Sequence, residues 1–339
     1  RQPILSLPAA HSLAPIPADR QLRIEAQARL HMGFLDMGGS LGRRFGSIGV
    51  AVNEISTRLT IRHADTLSAT GPDAERAEAI ARTLATEMGQ MLPARIEIER
   101  AIPGHAGLGS GTQLPLAVGT ALARLHGLPL SPPEIADIIG RGARSGIGIA
   151  TFASGGLIVD AGRGPQTRVP PVIARLDLPE SWRFLIVLDA QHQGLHGAPE
   201  KAAFAALPAF PGTEAARLCH LLLMQGLPAV VEEDLDAFGA VITELQAVVG
   251  DHFAPAQGGR FTSPAVAAAL AFLANRGAVG IGQSSWGPTG FCLVATPDQA
   301  TRLRDEASRH FGDDAGLRFV VGSPRHQGAD ITVEPLAAA

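Results

Sequence analysis

The chain has 339 residues, of which 46% are hydrophobic and 18% charged, with a net charge of −4. That length and apolar content can fill two ordinary cores, and no basic field is present that would hold nucleic acid by its phosphates. No run reaches the ~18 apolar residues of a membrane span, and Cys219 and Cys292, far apart in apolar runs, fit no zinc or redox spacing. The expectation is a soluble, cytoplasmic, two-domain protein with two buried thiols that binds neither membrane nor nucleic acid.

Residues 1–20, rich in proline and alanine, read as a loosely held arm. "QLRIEAQARLHMGF" and "IGVAVNEISTRLTIRHA" alternate apolar and polar residues at period two and predict paired strands. "DAERAEAIARTLATEMGQML" has helical spacing behind Asp73, and "ARIEIERAI" returns to strand. A glycine-rich loop then leads into a helix from Gln113 to Leu125, ended by Gly127. Ser131 caps a further helix over "SPPEIADIIGRGA", and "GGLIVDAG" reads as a strand. The proline-rich "GPQTRVPPVIARLDLP" is the expected connection, which places the domains at 21–168 and 169–339.

Beyond the connection, "WRFLIVLD" is a buried strand. Helices follow over "PEKAAFAAL", the long "TEAARLCHLLLMQGLPAVVEEDLDAFGAVITELQAVVG" and "PAVAAALAFLANRG". "GAVGIGQSSWGPTGFCLVA" reads as strand, loop and strand, "DQATRLRDEASRHF" as a helix, and "LRFVVGS" as the last strand. Runs of strand with helices inserted late predict an α+β fold.

The chemistry concentrates in "PGHAGLGSGTQ". Its glycines let the backbone approach a ligand closely, and the helix starting near Thr112 directs free N–H groups and a positive dipole end to the same place. Gly104, His105, Gly107, Leu108, Gly109, Ser110, Gly111, Thr112 and Gln113 therefore form a candidate phosphate or pyrophosphate cradle. Gly111 stands where a Walker A loop has its lysine, and the spacing is not that of a dinucleotide fold.

With "ARLHMGFLD" before it and "GQSSWGPTGF" after it, this loop resembles the three motifs of the GHMP kinase superfamily, in their order. The resemblance implies a two-domain α+β fold: an N-terminal half like domain 2 of ribosomal protein S5, a C-terminal ferredoxin-like α/β sandwich, and an active site between them. Kinases of the mevalonate type carry an aspartate after Ser-Gly-Ile in the segment resembling "GRGARSGIGIATFASGG", to accept the substrate hydroxyl proton. Here that position is Gly148, which cannot act as a base.

"RLHMGFLDMGGSLGRRFGSIGVAV", "IPGHAGLGSGTQLPLAVG", "GRGARSGIGIATFASGGLIVDAG" and "GQSSWGPTGF" together resemble one branch of the superfamily, the β-ribofuranosylaminobenzene 5′-phosphate synthases. Such enzymes condense phosphoribosyl pyrophosphate with 4-aminobenzoate, or a 4-hydroxy analogue, and release CO2 and pyrophosphate in methanopterin biosynthesis. The resemblance implies Mg2+, for which Ser110 and Thr112 are candidate ligands, and a homodimer. The alternatives are a GHMP-type kinase using ATP with a relocated base, and a non-catalytic anion sensor.

On this reading Arg29, His31, Asp36, Arg144 and Ser145 are the candidate catalytic residues. Arg29 and His31, two apart on a strand, share a face, against the competing reading of an exposed strand edge. Arg43 and Arg44, in a glycine-flanked loop, could bring guanidinium forks to a phosphate or carboxylate. Gln283, Ser284, Ser285, Trp286, His192 and His196 are candidate contacts for the aromatic substrate, with Trp286 offering a flat face. His192 and His196 would pair on a metal only within a helix, which Gly194 and Gly197 oppose.

Overall fold

The computed structural model describes residues 14–194, 197–312 and 316–336. Two sheets organise it. The first contains β1 (Arg20–Asp36), β2 (Phe45–His63), β3 (Ser68–Thr70), β4 (Ala94–Arg100), β5 (Leu157–Asp160), β6 (Val172–Leu176) and β11 (Asp330–Pro335). Its main order is β11-β1-β2-β4-β3, with β5 pairing β2 and β6 pairing β5. Strict alternation buries Leu22, Ile24, Ala26, Ala28 and Leu30 of β1, so one face of that strand is core from end to end.

Helices α1 (Ala74–Met88), α2 (Ser110–His126), α3 (Pro132–Ile138) and α4 (Ile147–Ser154) accompany this sheet. Leu116, Val118 and Leu122 of α2 pack with Ile24, Leu59 and Ile96 of the sheet in one apolar cluster. Ser131 and Glu134 form the capping box that starts α3.

The second sheet has the order β10-β7-β9-β8, built from β7 (Arg183–Asp189), β8 (Val279–Gln283), β9 (Gly290–Val294) and β10 (Leu317–Gly322). Between β7 and β8 run α5 (Gly197–Ala206), α6 (Gly212–Leu221), a π-helical turn Leu222–Gly226, α7 (Leu227–Val231), α8 (Leu235–Gln257) and α9 (Pro264–Ala274). Helix α10 (Pro297–Phe311) joins β9 to β10. This order and connectivity are those of the expected ferredoxin-like sandwich. A shared core of Leu30, Met32 and Phe34 from β1 with Phe238, Ile242 and Leu245 from α8 couples the two halves.

Several details differ from the sequence reading. The "IGIATFAS" segment, glycine-containing and short, is helix α4, and the proline-rich stretch contains β6. The chain does not end its strands at β10, because β11 returns to pair antiparallel with β1. Cys292 is buried, but Cys219 is exposed on the outer side of α6. Of the arm expected over 1–20, residues 1–13 lie outside the described residues, while Ile16 is buried and its N–H donates to Leu125 O. No described helix is long and apolar enough to cross a membrane.

Candidate active site

Three loops meet at the N-terminus of α2. The first is the glycine loop itself, which turns through left-handed backbone at His105, Gly107 and Gly109. Gly109 precedes the helix and no side chain caps it; Thr112 N–H donates to Gly109 O at 2.9 Å, which leaves the Ser110 and Gly111 N–H groups as the first-turn donors for an anion. The second loop joins β8 to β9. Its Ser284 hydroxyl donates to Gly107 O at 2.7 Å and accepts from His31 N–H at 3.0 Å, while Ser285 N–H donates to His31 O at 3.2 Å. The third follows β7, where Gly194 N–H donates to His105 O at 3.0 Å.

Cations flank this junction. Arg29 runs alongside Gly109 and donates from Nη1 to Gly107 O at 2.5 Å, and burial lowers its pKa to about 10. Arg141 lies against Gly111, its Nη1 3.6 Å from where a Cβ there would stand. Sequence reasoning passed over Arg141, since nothing in "GRGARSG" separates it from Arg144. Arg144 sits over the Phe204 ring, 4.4 Å from its centroid.

His31 is buried, and its Nε2 has no hydrogen-bond partner. Burial first, and then the charges of Arg29 and Arg144, lower its pKa to about 3, so the ring is neutral at pH 7. With Phe34, Phe253, Gln283 and Trp286 it lines a cavity of about 20 Å³, on the scale of one water molecule. Trp286 packs on Phe253 at 4.5 Å and on the edge of Phe204 at 5.2 Å. The Gln283 side chain is engaged by Thr262 N–H at 2.7 Å and by Gln257 at 3.3 Å.

Other candidates are each tied to a neighbouring backbone or side-chain group. Asp36 accepts from Gly38 and Gly39 N–H at 2.9 and 2.7 Å. Arg43 donates to Ala161 O and Gly162 O, and Arg44 to Met37 O. Ser145 bonds Ser47 Oγ at 2.7 Å and the buried Asp160, which also accepts from Ser47 and from Gly146 and Gly162 N–H. Burial raises the Asp160 pKa against those four donors. His192 binds Asp189 through Nδ1 at 2.7 Å, and His196 lies outside the described residues.

At the kinase-base position, Gly148 O accepts from Gln113 Nε2 at 2.8 Å, and a Cβ there would stand 3.0 Å from Thr112 Cγ2. The site therefore lacks both the base and open space for one. Among the described residues, no group of three or more His, Cys, Asp or Glu side chains is placed to hold a metal. The oxygen donors on the first turn are the Ser110 and Thr112 hydroxyls. Such a set suits Mg2+ that brings phosphate oxygens and water as most of its ligands.

An uncapped helix N-terminus in a glycine loop, set between these two sheets, defines the GHMP kinase class. Family models for the GHMP kinases N terminal domain and GHMP kinases C terminal match residues 75–156 and 227–313. The galactokinase of Lactococcus lactis has the same fold, with a TM-score of 0.66 at 15% identity over 92% of this chain and 95% of that one. Closer in sequence is the beta-ribofuranosylphenol 5′-phosphate synthase of Archaeoglobus fulgidus, 33% identical over 92% of this chain and all of the relative. That of Methanothermobacter thermautotrophicus is 32% identical over 91% and 98%. The chain belongs to this synthase family.

Proposed function

We propose that this enzyme condenses phosphoribosyl pyrophosphate with 4-hydroxybenzoate or 4-aminobenzoate, releasing CO2 and pyrophosphate and leaving a C-riboside 5′-phosphate, a step of methanopterin biosynthesis. The relatives' name carries a phenol where the motif resemblance points to an aminobenzene, and both acceptors have a para electron donor. The observation that carries the reading is the uncapped first turn of α2, flanked by Arg29 and Arg141, in a site that has Gly148 in place of an alcohol-activating acid.

The chemistry follows from that geometry. First-turn N–H groups and the helix dipole bind the diphosphate, and Arg29 and Arg141 offset the charge that develops as it departs. Mg2+, held by Ser110 and Thr112, would neutralise the diphosphate oxygens further. Departure leaves an oxocarbenium-like ribose centre, which the ring carbon bearing the carboxylate attacks; loss of CO2 then restores aromaticity. The His31 backbone N–H holds the Ser284 hydroxyl, which clasps Gly107 and keeps the loop fixed while charge shifts, so the contribution is positional and electrostatic.

The test is incubation of the protein with Mg2+, phosphoribosyl pyrophosphate and carboxyl-labelled acceptor, and in parallel with ATP and small alcohols. Labelled CO2 that depends on phosphoribosyl pyrophosphate is expected. ADP formation without CO2 would overturn the reading.

A further inference from the structure

The loop after β7 contains an arrangement that phosphate binding does not require. The Asp189 carboxylate ends an apolar strand and is buried, with its side chain 1% exposed. Its Oδ2 accepts from Ser263 Oγ at 2.5 Å and from His192 Nδ1 at 2.7 Å, and its Oδ1 accepts from Gln191 N–H at 2.7 Å. Burial opposes ionisation, but these donors hold the carboxyl below its ordinary range. Ser263 is itself fixed, because its hydroxyl caps α9 by accepting from Val266 N–H at 3.1 Å.

An ionised carboxylate only accepts, so His192 Nδ1 carries a proton and Nε2 is the ring nitrogen left for a substrate. The imidazole is 44% exposed, and two residues later Gly194 binds His105 of the glycine loop. An oriented, accessible imidazole thus stands two residues from the point where this loop binds the glycine loop.

Resting on the reaction proposed above, we infer that His192, positioned by Asp189 and Ser263, holds the para proton of a 4-hydroxybenzoate acceptor during carbon–carbon bond formation. As ring C1 bonds to ribose C1′, the C1′–O bond breaks and its electron pair leaves on pyrophosphate. The para O–H proton passes to Nε2, and the ring becomes a cyclohexadienone. The C1–carboxylate bond then breaks, its pair restores the ring, CO2 departs, and the proton returns from His192 to oxygen. No proton is gained or lost over the cycle. A 4-aminobenzoate ring needs no such transfer, because nitrogen donates its lone pair and forms an iminium with both N–H bonds intact.

His192→Gln and Asp189→Asn, assayed as full-length protein on both acceptors, test this. His192→Gln is expected to lower kcat on 4-hydroxybenzoate roughly 100-fold and on 4-aminobenzoate by less than about 5-fold, with KM for phosphoribosyl pyrophosphate unchanged. Asp189→Asn would donate to Nδ1 and move the proton to Nε2, so the same acceptor-dependent loss is expected. Equal losses on both acceptors, or none, with an active wild type would overturn this role and leave the proposed reaction standing. A wild type that releases no CO2 from either acceptor would overturn both.

Discussion

Gly107 is where the glycine loop is most tightly clasped, and its replacement by alanine tests the site directly. A Cβ at this position would lie 2.2 Å from Ser284 O and 3.1 Å from Gly287 O, both backbone atoms. The residue also has φ +79°, where alanine costs about 1–2 kcal/mol. Relief requires the loop to move by about 1 Å, and misplacement on that scale costs roughly a hundredfold in rate. The same shift would strain the bonds that Gly107 O accepts from Ser284 Oγ and Arg29 Nη1. Gly212→Ala is the internal control, since a Cβ there would meet only the Ser40 side chain, at an ordinary 3.4 Å, far from the loop in sequence. With kcat/KM for CO2 release and thermal melting as readouts, Gly107→Ala is expected to lose about two orders of magnitude and Gly212→Ala to match wild type. Near-wild-type turnover in Gly107→Ala, or equal losses in the two variants, would refute the assignment of the clasped loop as the working cradle.

Two further perturbations separate stability from chemistry. Burial works against ionisation of Glu25, yet hydrogen bonds from Ser56, Arg58 and Arg100 outweigh it and bring the pKa from 4.5 to about 2. A depressed carboxyl stabilises above its unfolded pKa, so a contribution of at most about 3 kcal/mol is present at neutral pH and lost as pH falls from 4.5 towards 2. Glu25→Gln should melt below wild type at pH 7 and converge with it in acid; a constant offset in Tm would count against the linkage. Gly148→Asp restores the kinase residue type but presses on Thr112, whose Cγ2 and Cβ would be 3.0 and 3.2 Å from the new Cβ. The expected result is loss of CO2 release with no ATP-dependent phosphorylation of alcohols, and a gain of ADP formation would show that only the side chain was missing.

What could be read from the sequence follows from where local signals are strong. The glycine loop, the alternation of β1 and the Ser131 cap are each encoded within a dozen residues, and each is present. Helix α4 escaped because glycine and β-branched residues lower its propensity while tertiary packing holds Ile147, Ile149 and Phe152 in the core. Strand β6 was obscured by neighbouring prolines, and β11 is a charged and mostly exposed edge without an apolar run to mark it. For the site, residue type alone could not say which arginines border the glycine loop. Arg43 and Arg44 are committed to backbone carbonyls, whereas Arg141 borders the helix start. One usable signal was available: Asp160 and Asp189 each end a run of apolar strand residues, where a carboxylate must find buried donors.

The pairing of β11 with β1 has a consequence for how the protein is made. Arg20 lies opposite Pro335, and Leu336 N–H donates to Asp19 O, so the outermost strand of the N-terminal sheet is synthesised after everything between. While a ribosome works through the second sheet, the outer edge of β1 offers its unpaired amides and carbonyls to any extended chain nearby. The nascent N-terminal half can form its core of α1, α2 and β1–β5 early, but it is sealed only when the last described residues emerge.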